Sequence, residues 1–125
     1  MSDILKELYD LVEKRKAARE EGSYTAYLFN SGLDKILKKL GEECAETIIA
    51  AKNLKAGRVV AEGAAEEEAA GSREALTNET GDLIYHLTVM LSELGVRPEE
   101  IENVLRARMK KTGNLKEQKQ ADNNT

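Results

Sequence analysis

Apolar residues recur at the three-to-four-residue spacing of an amphipathic helix in four stretches of the chain. Boundary signals agree with this spacing, because Gly22 and Gly95 follow the first and third stretches and Pro98 opens the fourth. No stretch has the alternating pattern of a β-strand, so the sequence predicts an all-α fold, most simply a four-helix bundle. The predicted helices cover approximately residues 4–19, 33–53, 73–94 and 98–111.

Three segments fall outside these stretches. Residues 23–30 open with Ser23, a good N-cap, and predict one or two turns of helix or a structured loop. Residues 55–72 are rich in Ala, Glu and Gly and lack an apolar stripe, which predicts an inserted loop or a short helical excursion. The polar residues 113–125 predict a disordered tail, so a single domain is expected over residues 1–112.

The second and third predicted helices are apolar over broad arcs, which we expect to face the core. One thin partner helix on each side does not cover such arcs in a chain of this length, so the sequence predicts a homodimer. The arc of the second helix is a near-heptad series, and the third helix has a similar one: Leu33, Leu37, Leu40, Cys44, Ile48 and Ala51, then Leu76, Leu83, Leu87 and Met90.

Composition and charge narrow the range of partners. The chain has 125 residues, a formal net charge of −4 and 4% aromatic residues. A protein that binds nucleic acid through a basic field needs clustered Lys and Arg, so we expect no nucleic-acid partner. The single Cys44 cannot form an intrachain disulfide, and neither a signal-like leader nor a membrane-length apolar run is present. These features predict a cytoplasmic protein with no membrane partner.

Acidic side chains cluster twice beside the apolar arcs. At about 100° per residue, Glu42, Glu43 and Glu46 share one flank of the second helix, with Glu43 nearest the apolar series. Glu79 and Asp82 share a flank of the third helix in the same way. Two acid pairs with i, i+3 spacing can therefore face each other across one helix interface.

Such a gathering of carboxylates needs a compensating charge. At a separation of about 6 Å, each pair repels by roughly 3 kcal/mol at an effective dielectric constant near 20. Mg²⁺ takes hard oxygen ligands and offsets this repulsion. The alternative is that the acids are solvated or paired with nearby lysines. Because two clusters have matching form, we favour the metal.

Two glycines lie beside these clusters inside otherwise good helices. Gly41 precedes the first cluster and Gly81 lies within the second. Each costs about 1 kcal/mol relative to alanine in a helix interior. We therefore expect them to permit close approach of another helix or of a ligand.

The acids also carry a resemblance. Glu42-Glu43-x-x-Glu46 followed by Glu79-x-x-Asp82 resembles the EExxE…ExxD signature of the all-α, MazG-like nucleotide pyrophosphohydrolase superfamily. The flanking text is more specific: SYTAYLFNSGLDKILKKLGEE (23–43) and LTNETGDLIYHLTVMLSELGV (76–96) resemble the phosphoribosyl-ATP pyrophosphatase family of histidine biosynthesis. The resemblance covers most of residues 1–110, although the spacer between the motifs is longer than expected for that family.

The resemblance implies a MazG-like helical bundle and Mg²⁺-dependent hydrolysis of the α,β-phosphoanhydride of phosphoribosyl-ATP. The products would be phosphoribosyl-AMP and pyrophosphate. Glu43, Glu46, Glu79 and Asp82 match the family's metal-ligand positions. Glu42 is the candidate that orients or deprotonates the attacking water.

Four basic side chains are candidates for phosphate contacts. Lys35, Lys38 and Lys39 lie one to two turns before the first acids and can neutralise a triphosphate as point charges. Pairing with Glu42 or Glu43 is an equally open alternative. Arg106 is a further candidate, with a helix-dipole role as its alternative.

Tyr24, Thr25 and His86 are candidates for other substrate contacts. Tyr24 and Thr25 lie in the segment that resembles the phosphoribosyl-ATP pyrophosphatase family, and we expect them to recognise the phosphoribosyl-adenine portion of the substrate. Their alternative is capping and packing. His86 could bond the substrate or fix a carboxylate, and a histidine satisfied at a helix interface is the alternative.

Two other functions stay open at this point. A house-cleaning NTP or dNTP pyrophosphatase would share the acid motifs and differ in how it recognises the base and sugar. A non-catalytic helical interaction module would keep the acids as a solvated surface and would not respond to Mg²⁺.

Overall fold

The protein is described by a computed structural model over residues 4–60 and 65–111. The described residues form helices and turns without a β-strand, so the predicted all-α class is confirmed. None of these helices is both long enough and apolar enough to cross a lipid bilayer. In chain order the helices are α1 (Ile4–Ala18), α2 (Tyr24–Ser31), α3 (Leu33–Val60), α4 (Ala65–Leu94) and α5 (Pro98–Met109).

The helix boundaries follow from local signals in the sequence. Ser23 caps α2, since its side-chain oxygen accepts a hydrogen bond from the Ala26 N–H at 3.2 Å. Gly95 ends α4 at a φ of 72°, which favours glycine. The following Val96 N–H donates to the Leu91 carbonyl oxygen at 3.0 Å and satisfies one of the last carbonyls of the helix. These two boundary predictions are confirmed.

The number and length of the helices differ from the simplest prediction. Residues 24–31 form a full helix, so the described part of the chain holds five helices rather than four. Of the two alternatives predicted for residues 55–72, a loop or a helical excursion, the described part of the segment shows helix, because α3 continues to Val60 and α4 begins at Ala65. Alanine and glutamate are good helix formers, and this propensity outweighs the missing apolar stripe. Residues 61–64 and the predicted tail over 113–125 lie outside the described residues.

Helices α3 and α4 form a long antiparallel hairpin. Thr47 lies beside Glu79, and nearer the far end Gly57 lies beside Ser72. Helices α1 and α2 pack against the other end of this hairpin, and α5 packs against α1. The core lies where α1 to α4 meet; it contains Val12, Leu28, Phe29, Ile36 and Val89, with Leu8, Tyr85 and Met90 packed against it.

The side of α3 that faces the core was predicted wrongly. Ile36 and Ala50 are buried, whereas Leu37 and Ile48 are 42% and 65% exposed and Cys44 is also exposed. Successive residues are about 100° apart on a helix, so the inward side is rotated by one residue from the near-heptad series. On α4 the same occurs at Leu87 and Leu94, which are 40% and 55% exposed. We call Leu37, Ile48, Leu87 and Leu94 the exposed apolar set.

Candidate active site

Three acids from the two helices of the hairpin meet at its interface. Glu43 comes from α3, and Glu79 and Asp82 come from α4. One carboxylate oxygen from each residue lies within 4.8 Å of the other two. The rotation of α3 places Glu43 on the inward side, where it is only 8% exposed. The expected convergence of acids from two helices is therefore present in the structure.

Two oxygens of this cluster are buried without a hydrogen-bond donor. Among the described residues, no donor reaches the Oε2 atom of Glu43 or that of Glu79. A buried carboxylate oxygen without a partner is costly, and such atoms are rare in native proteins. A hard cation takes carboxylate oxygens as ligands. The donor set and the unpartnered oxygens therefore fit a metal ion.

The crowding of carboxylates in the cluster raises the pKa values of Glu79 and Glu43. The pKa of Glu79 is raised from its ordinary 4.5 to about 7, mainly because a proton on Glu79 can be donated to Glu46, and also by burial and by Glu43. Burial is the main reason that the pKa of Glu43 is raised, with the charges of Glu46 and Asp82 adding to it. Glu46 is exposed, yet it belongs electrostatically to the cluster. All four predicted metal-ligand residues therefore interact.

Thr47 ties the two helices together at the height of the cluster. Its Oγ1 lies 2.7 Å from the carbonyl oxygen of Glu43 and 3.3 Å from that of Glu79. The single hydroxyl proton can serve either carbonyl. Sequence reasoning missed this residue; its only signal is a small polar side chain four positions after Glu43, on the same side of the helix.

His86 connects Tyr24 to the second acid motif. It is 4% exposed, and its Nδ1 lies 2.7 Å from the backbone carbonyl oxygen of Asp82. A carbonyl only accepts, so Nδ1 carries the proton, and in the neutral ring Nε2 accepts from the Tyr24 hydroxyl at 2.8 Å. The structure therefore shows the interface alternative for His86, and Tyr24 is held beside the acids with 44% of its surface exposed.

Glu42 and the predicted basic residues lie outside the acid cluster. Lys39 Nζ lies 3.1 Å from Glu42 Oε2, and this hydrogen bond is the main reason that the pKa of Glu42 is lowered. Lys35 lies over the Tyr27 ring at 5.9 Å, and Lys38 is exposed. Arg106 pairs with Glu102 on its own helix, α5. For Lys39 the structure shows the pairing alternative, and Arg106 lies in the last turn of α5, as its helix-dipole alternative requires.

Comparison with known proteins identifies the group to which this arrangement belongs. Residues 5–109 match the family described as Phosphoribosyl-ATP pyrophosphohydrolase. The chain belongs to this family. A Streptococcus thermophilus protein named phosphoribosyl-ATP pyrophosphatase is 45% identical over 117 residues, covering 94% of this chain and 96% of that protein. A protein of the same name from Pelotomaculum thermopropionicum is 44% identical over 109 residues, covering 87% of this chain and 94% of that protein.

In this member of the phosphoribosyl-ATP pyrophosphohydrolase family, Thr25 has a packing role. It is only 1% exposed, and its hydroxyl is hydrogen-bonded to that of Tyr85. Tyr85 also stacks on Tyr24, with ring centroids 6.3 Å apart. Sequence reasoning missed Tyr85, whose partners lie about sixty positions away in the chain. Thr25 and Tyr85 thus support Tyr24, which is the exposed member of the group.

The expected helix approach at Gly41 and Gly81 is wrong for the single chain. A Cβ atom built on either glycine meets no described atom within 4 Å, apart from its own local helix backbone. Both residues are exposed. The space beside them is therefore open to a ligand or to another chain.

Changing Gly81 to alanine is expected to stabilise the metal-free protein by about 1 kcal/mol, because alanine restricts the unfolded chain and favours the helix. Urea unfolding monitored by circular dichroism measures this change. Gly71→Ala is the matched control on α4, since a Cβ atom there also meets no described neighbour. A loss of stability in Gly81→Ala alone would show that a group packs against Gly81.

Proposed function

We propose that this chain hydrolyses the α,β-phosphoanhydride of phosphoribosyl-ATP to phosphoribosyl-AMP and pyrophosphate, in a Mg²⁺-dependent step of cytoplasmic histidine biosynthesis. One observation carries the proposal in this member of the family. Carboxylates from α3 and α4 meet within 4.8 Å, and two of their oxygens are buried without a donor. A cation that binds there would lie against the phosphates of a substrate.

The proposed ligands are Glu43, Glu79 and Asp82, with Glu46 as the fourth. Their oxygens suit Mg²⁺, which prefers carboxylates together with water and phosphate oxygens. When bound, Mg²⁺ supplies positive charge that polarises phosphate oxygens and acidifies water. Glu79 must give up its proton to become a ligand, which its pKa of about 7 allows near neutral pH.

Glu42 is proposed to orient the water that attacks the phosphorus. Its ion pair with Lys39 lowers its pKa, so it is a weak base and a good hydrogen-bond acceptor near neutral pH. The ion pair also fixes the direction of the carboxylate. Orientation is therefore favoured over deprotonation for this residue.

Tyr24 is proposed to contact the phosphoribosyl-adenine portion. Its hydroxyl proton is engaged by His86, which leaves the oxygen lone pairs free to accept from a ribose hydroxyl or an amino group. Lys35, Lys38 and Arg106 remain predictions for phosphate contacts. Arg106 lies on α5, which packs against α1 rather than against the α3–α4 hairpin.

A homodimer is the proposed assembly. The exposed apolar set offers isoleucine and leucine side chains to the solvent on both helices that hold the acids. Large apolar side chains that are exposed on two packed helices often mark an interface. A second copy of the chain would bury it and would explain why the near-heptad series of α3 is apolar although it does not face the core.

The metal-free protein is expected to lose stability as pH rises from about 5 to 8. Glu79 has a folded-state pKa of about 7 against an ordinary 4.5, so the folded state binds more protons in this range. The stabilisation is complete below the ordinary pKa and is lost as pH rises through the raised one. Mg²⁺ should restore stability increasingly over the same range.

Thermal unfolding in EDTA and in Mg²⁺, at steps between pH 5 and 8, measures this dependence. Glu79→Gln should flatten the pH slope in EDTA, whereas Glu74→Gln, an exposed carboxylate on the same helix, should leave it unchanged. A metal-free protein that became more stable with rising pH would contradict the assignment of the raised pKa.

The decisive test of function is pyrophosphate release from phosphoribosyl-ATP by the purified protein, with Mg²⁺ and with EDTA, beside a panel of NTPs and dNTPs. We expect release from phosphoribosyl-ATP only, and only with Mg²⁺. Release from a panel nucleotide alone would reassign the substrate to a house-cleaning activity. No release at all would favour a non-catalytic interaction module.

A further inference from the structure

A cavity opens between α1 and the start of α2, and Tyr85 of α4 also lines it. Its volume is about 770 Å³, within the usual range for small-molecule sites. Its polar lining includes Lys14, Arg15, Ser23 and Tyr24. None of the proposed metal ligands lines it, so the cavity is separate from the acid cluster.

Two cations of this cavity have no acidic partner among the described residues. The ion pairs of this part of the chain engage neighbours of Lys14 and Arg15, such as Lys16 with Glu13 at 3.1 Å, but not these two residues. Their side chains are exposed at the cavity wall. Glu20 and Glu21 also line the cavity, without forming an ion pair with either cation. The unpaired cations are available to an anion, and the carboxylates are available to hydroxyl groups.

Tyr24 joins this cavity to the acid cluster. It lines the cavity, and its hydroxyl is bonded to His86, whose other nitrogen contacts the backbone of Asp82. Tyr85 lines the cavity next to Tyr24 and precedes His86 in α4. A hydrogen-bonded chain from Tyr24 through His86 to the backbone of Asp82 therefore connects the wall of the cavity to the second acid motif.

Phosphoribosyl-ATP differs from ATP by an added ribose that carries its own phosphate. The acids and the metal contact only the triphosphate, which both molecules share. Discrimination therefore needs a second anion site at a distance from the metal site. We propose that the cavity between α1 and α2 is that site, and that Lys14 and Arg15 bind the phosphate of the phosphoribosyl group. This inference rests on the proposed function.

The glutamates of the cavity suit the sugar that carries this phosphate. Carboxylates accept hydrogen bonds from vicinal ribose hydroxyls, and Arg15 can hold a phosphate through two parallel N–H bonds. Lys14 adds a point charge beside it. The arrangement favours a sugar phosphate over a bare polyphosphate, because Glu20 and Glu21 would repel additional negative charge.

The test uses the double variant Lys14→Gln/Arg15→Gln, which keeps the side chains long and polar. We expect its KM for phosphoribosyl-ATP to rise by about 10-fold to 100-fold, as for the loss of charge-assisted hydrogen bonds, with kcat within about threefold of wild type. Product inhibition should also distinguish a ligand that carries the phosphoribosyl phosphate from one that lacks it. The inhibition constant of phosphoribosyl-AMP should rise at least about tenfold, and that of AMP should not change.

Lys6→Gln is the matched control, because Lys6 is an exposed cation of α1 that does not line the cavity. It should leave both constants unchanged. Equal effects of the double variant on AMP and on phosphoribosyl-AMP would overturn the inference while the proposed function stands. Wild-type protein that released no pyrophosphate from phosphoribosyl-ATP would instead overturn both.

Discussion

Changing Asp82 to asparagine or Glu43 to glutamine is expected to lower Mg²⁺-dependent pyrophosphate release by at least about a hundredfold. Each change keeps the shape of the side chain and removes one anionic oxygen from a group within 4.8 Å. A bound metal stabilises the transition state by several kcal/mol, and each 1.4 kcal/mol corresponds to about tenfold in rate. Loss of a ligand should therefore be evident in kcat.

The effect of these changes on the stability of the metal-free protein should be opposite to their effect on activity. Without metal, Glu43→Gln removes a buried charge that is repelled by Glu46 and Asp82, so the free energy of unfolding should rise in EDTA. A higher stability together with a lower activity is the signature of an acid retained for binding a cation. Urea unfolding in EDTA and in Mg²⁺ measures the first part, and a pyrophosphate assay measures the second.

Glu93→Gln is the control for these variants, since Glu93 is an exposed acid near the end of α4. Its turnover and stability should match the wild type. Retained turnover in Asp82→Asn would remove that residue from the ligand set. A fall in stability for Glu43→Gln, with EDTA present, would show that the carboxylate is engaged by a donor rather than by repelling neighbours.

The parts of the fold that were predictable depend on local chemistry. Ser23 marks the start of α2 and Gly95 marks the end of α4, because capping and positive φ are properties of a few consecutive residues. The acid cluster was predictable for the same reason. Its members are spaced i, i+3 within each helix, and a bound cation is the simplest way to compensate the charge of two such pairs.

The rotation of α3 was not predictable from the pattern alone. A broad apolar arc contains several possible inward sides, and contacts with α4 decide among them. Glu43 lies on the inward side of α3, so the same part of the α3–α4 interface holds an acid of the candidate site and packs the two helices together. The extension of both helices into residues 55–72 was left open beside a loop, because the segment has no apolar stripe and helix propensity alone is a weak signal over short windows.

The links from Tyr24 to His86 and from Thr25 to Tyr85 could not be read from the sequence. They join residues 62 and 60 positions apart, and only tertiary packing brings them together. The resemblance to the family made Tyr24 a candidate for function, and residue type made His86 one. In the structure His86 is hydrogen-bonded to the Tyr24 hydroxyl, and Tyr24 keeps 44% of its surface exposed. Hydrogen-bond partners that are so distant in the chain leave no periodic pattern in the sequence.

Changing Ile48 to glutamate is expected to convert the protein from a dimer to a monomer. Ile48 is 65% exposed in the single chain and belongs to the exposed apolar set. If the chain were a monomer, a charge at so exposed a position would change stability by no more than about 0.5 kcal/mol. If a second copy covers the position, the variant must bury an unpaired charge, which association cannot tolerate. Light scattering after size exclusion should give about twice the chain mass of 13.8 kDa for wild type and the chain mass for the variant.

Ala17→Glu supplies the control, because it places the same charge on an exposed residue of α1 outside the exposed apolar set. It should leave the wild-type mass unchanged. A wild-type protein that has the mass of a single chain at micromolar concentration would contradict the dimer, and the near-heptad series on α3 would then need another partner.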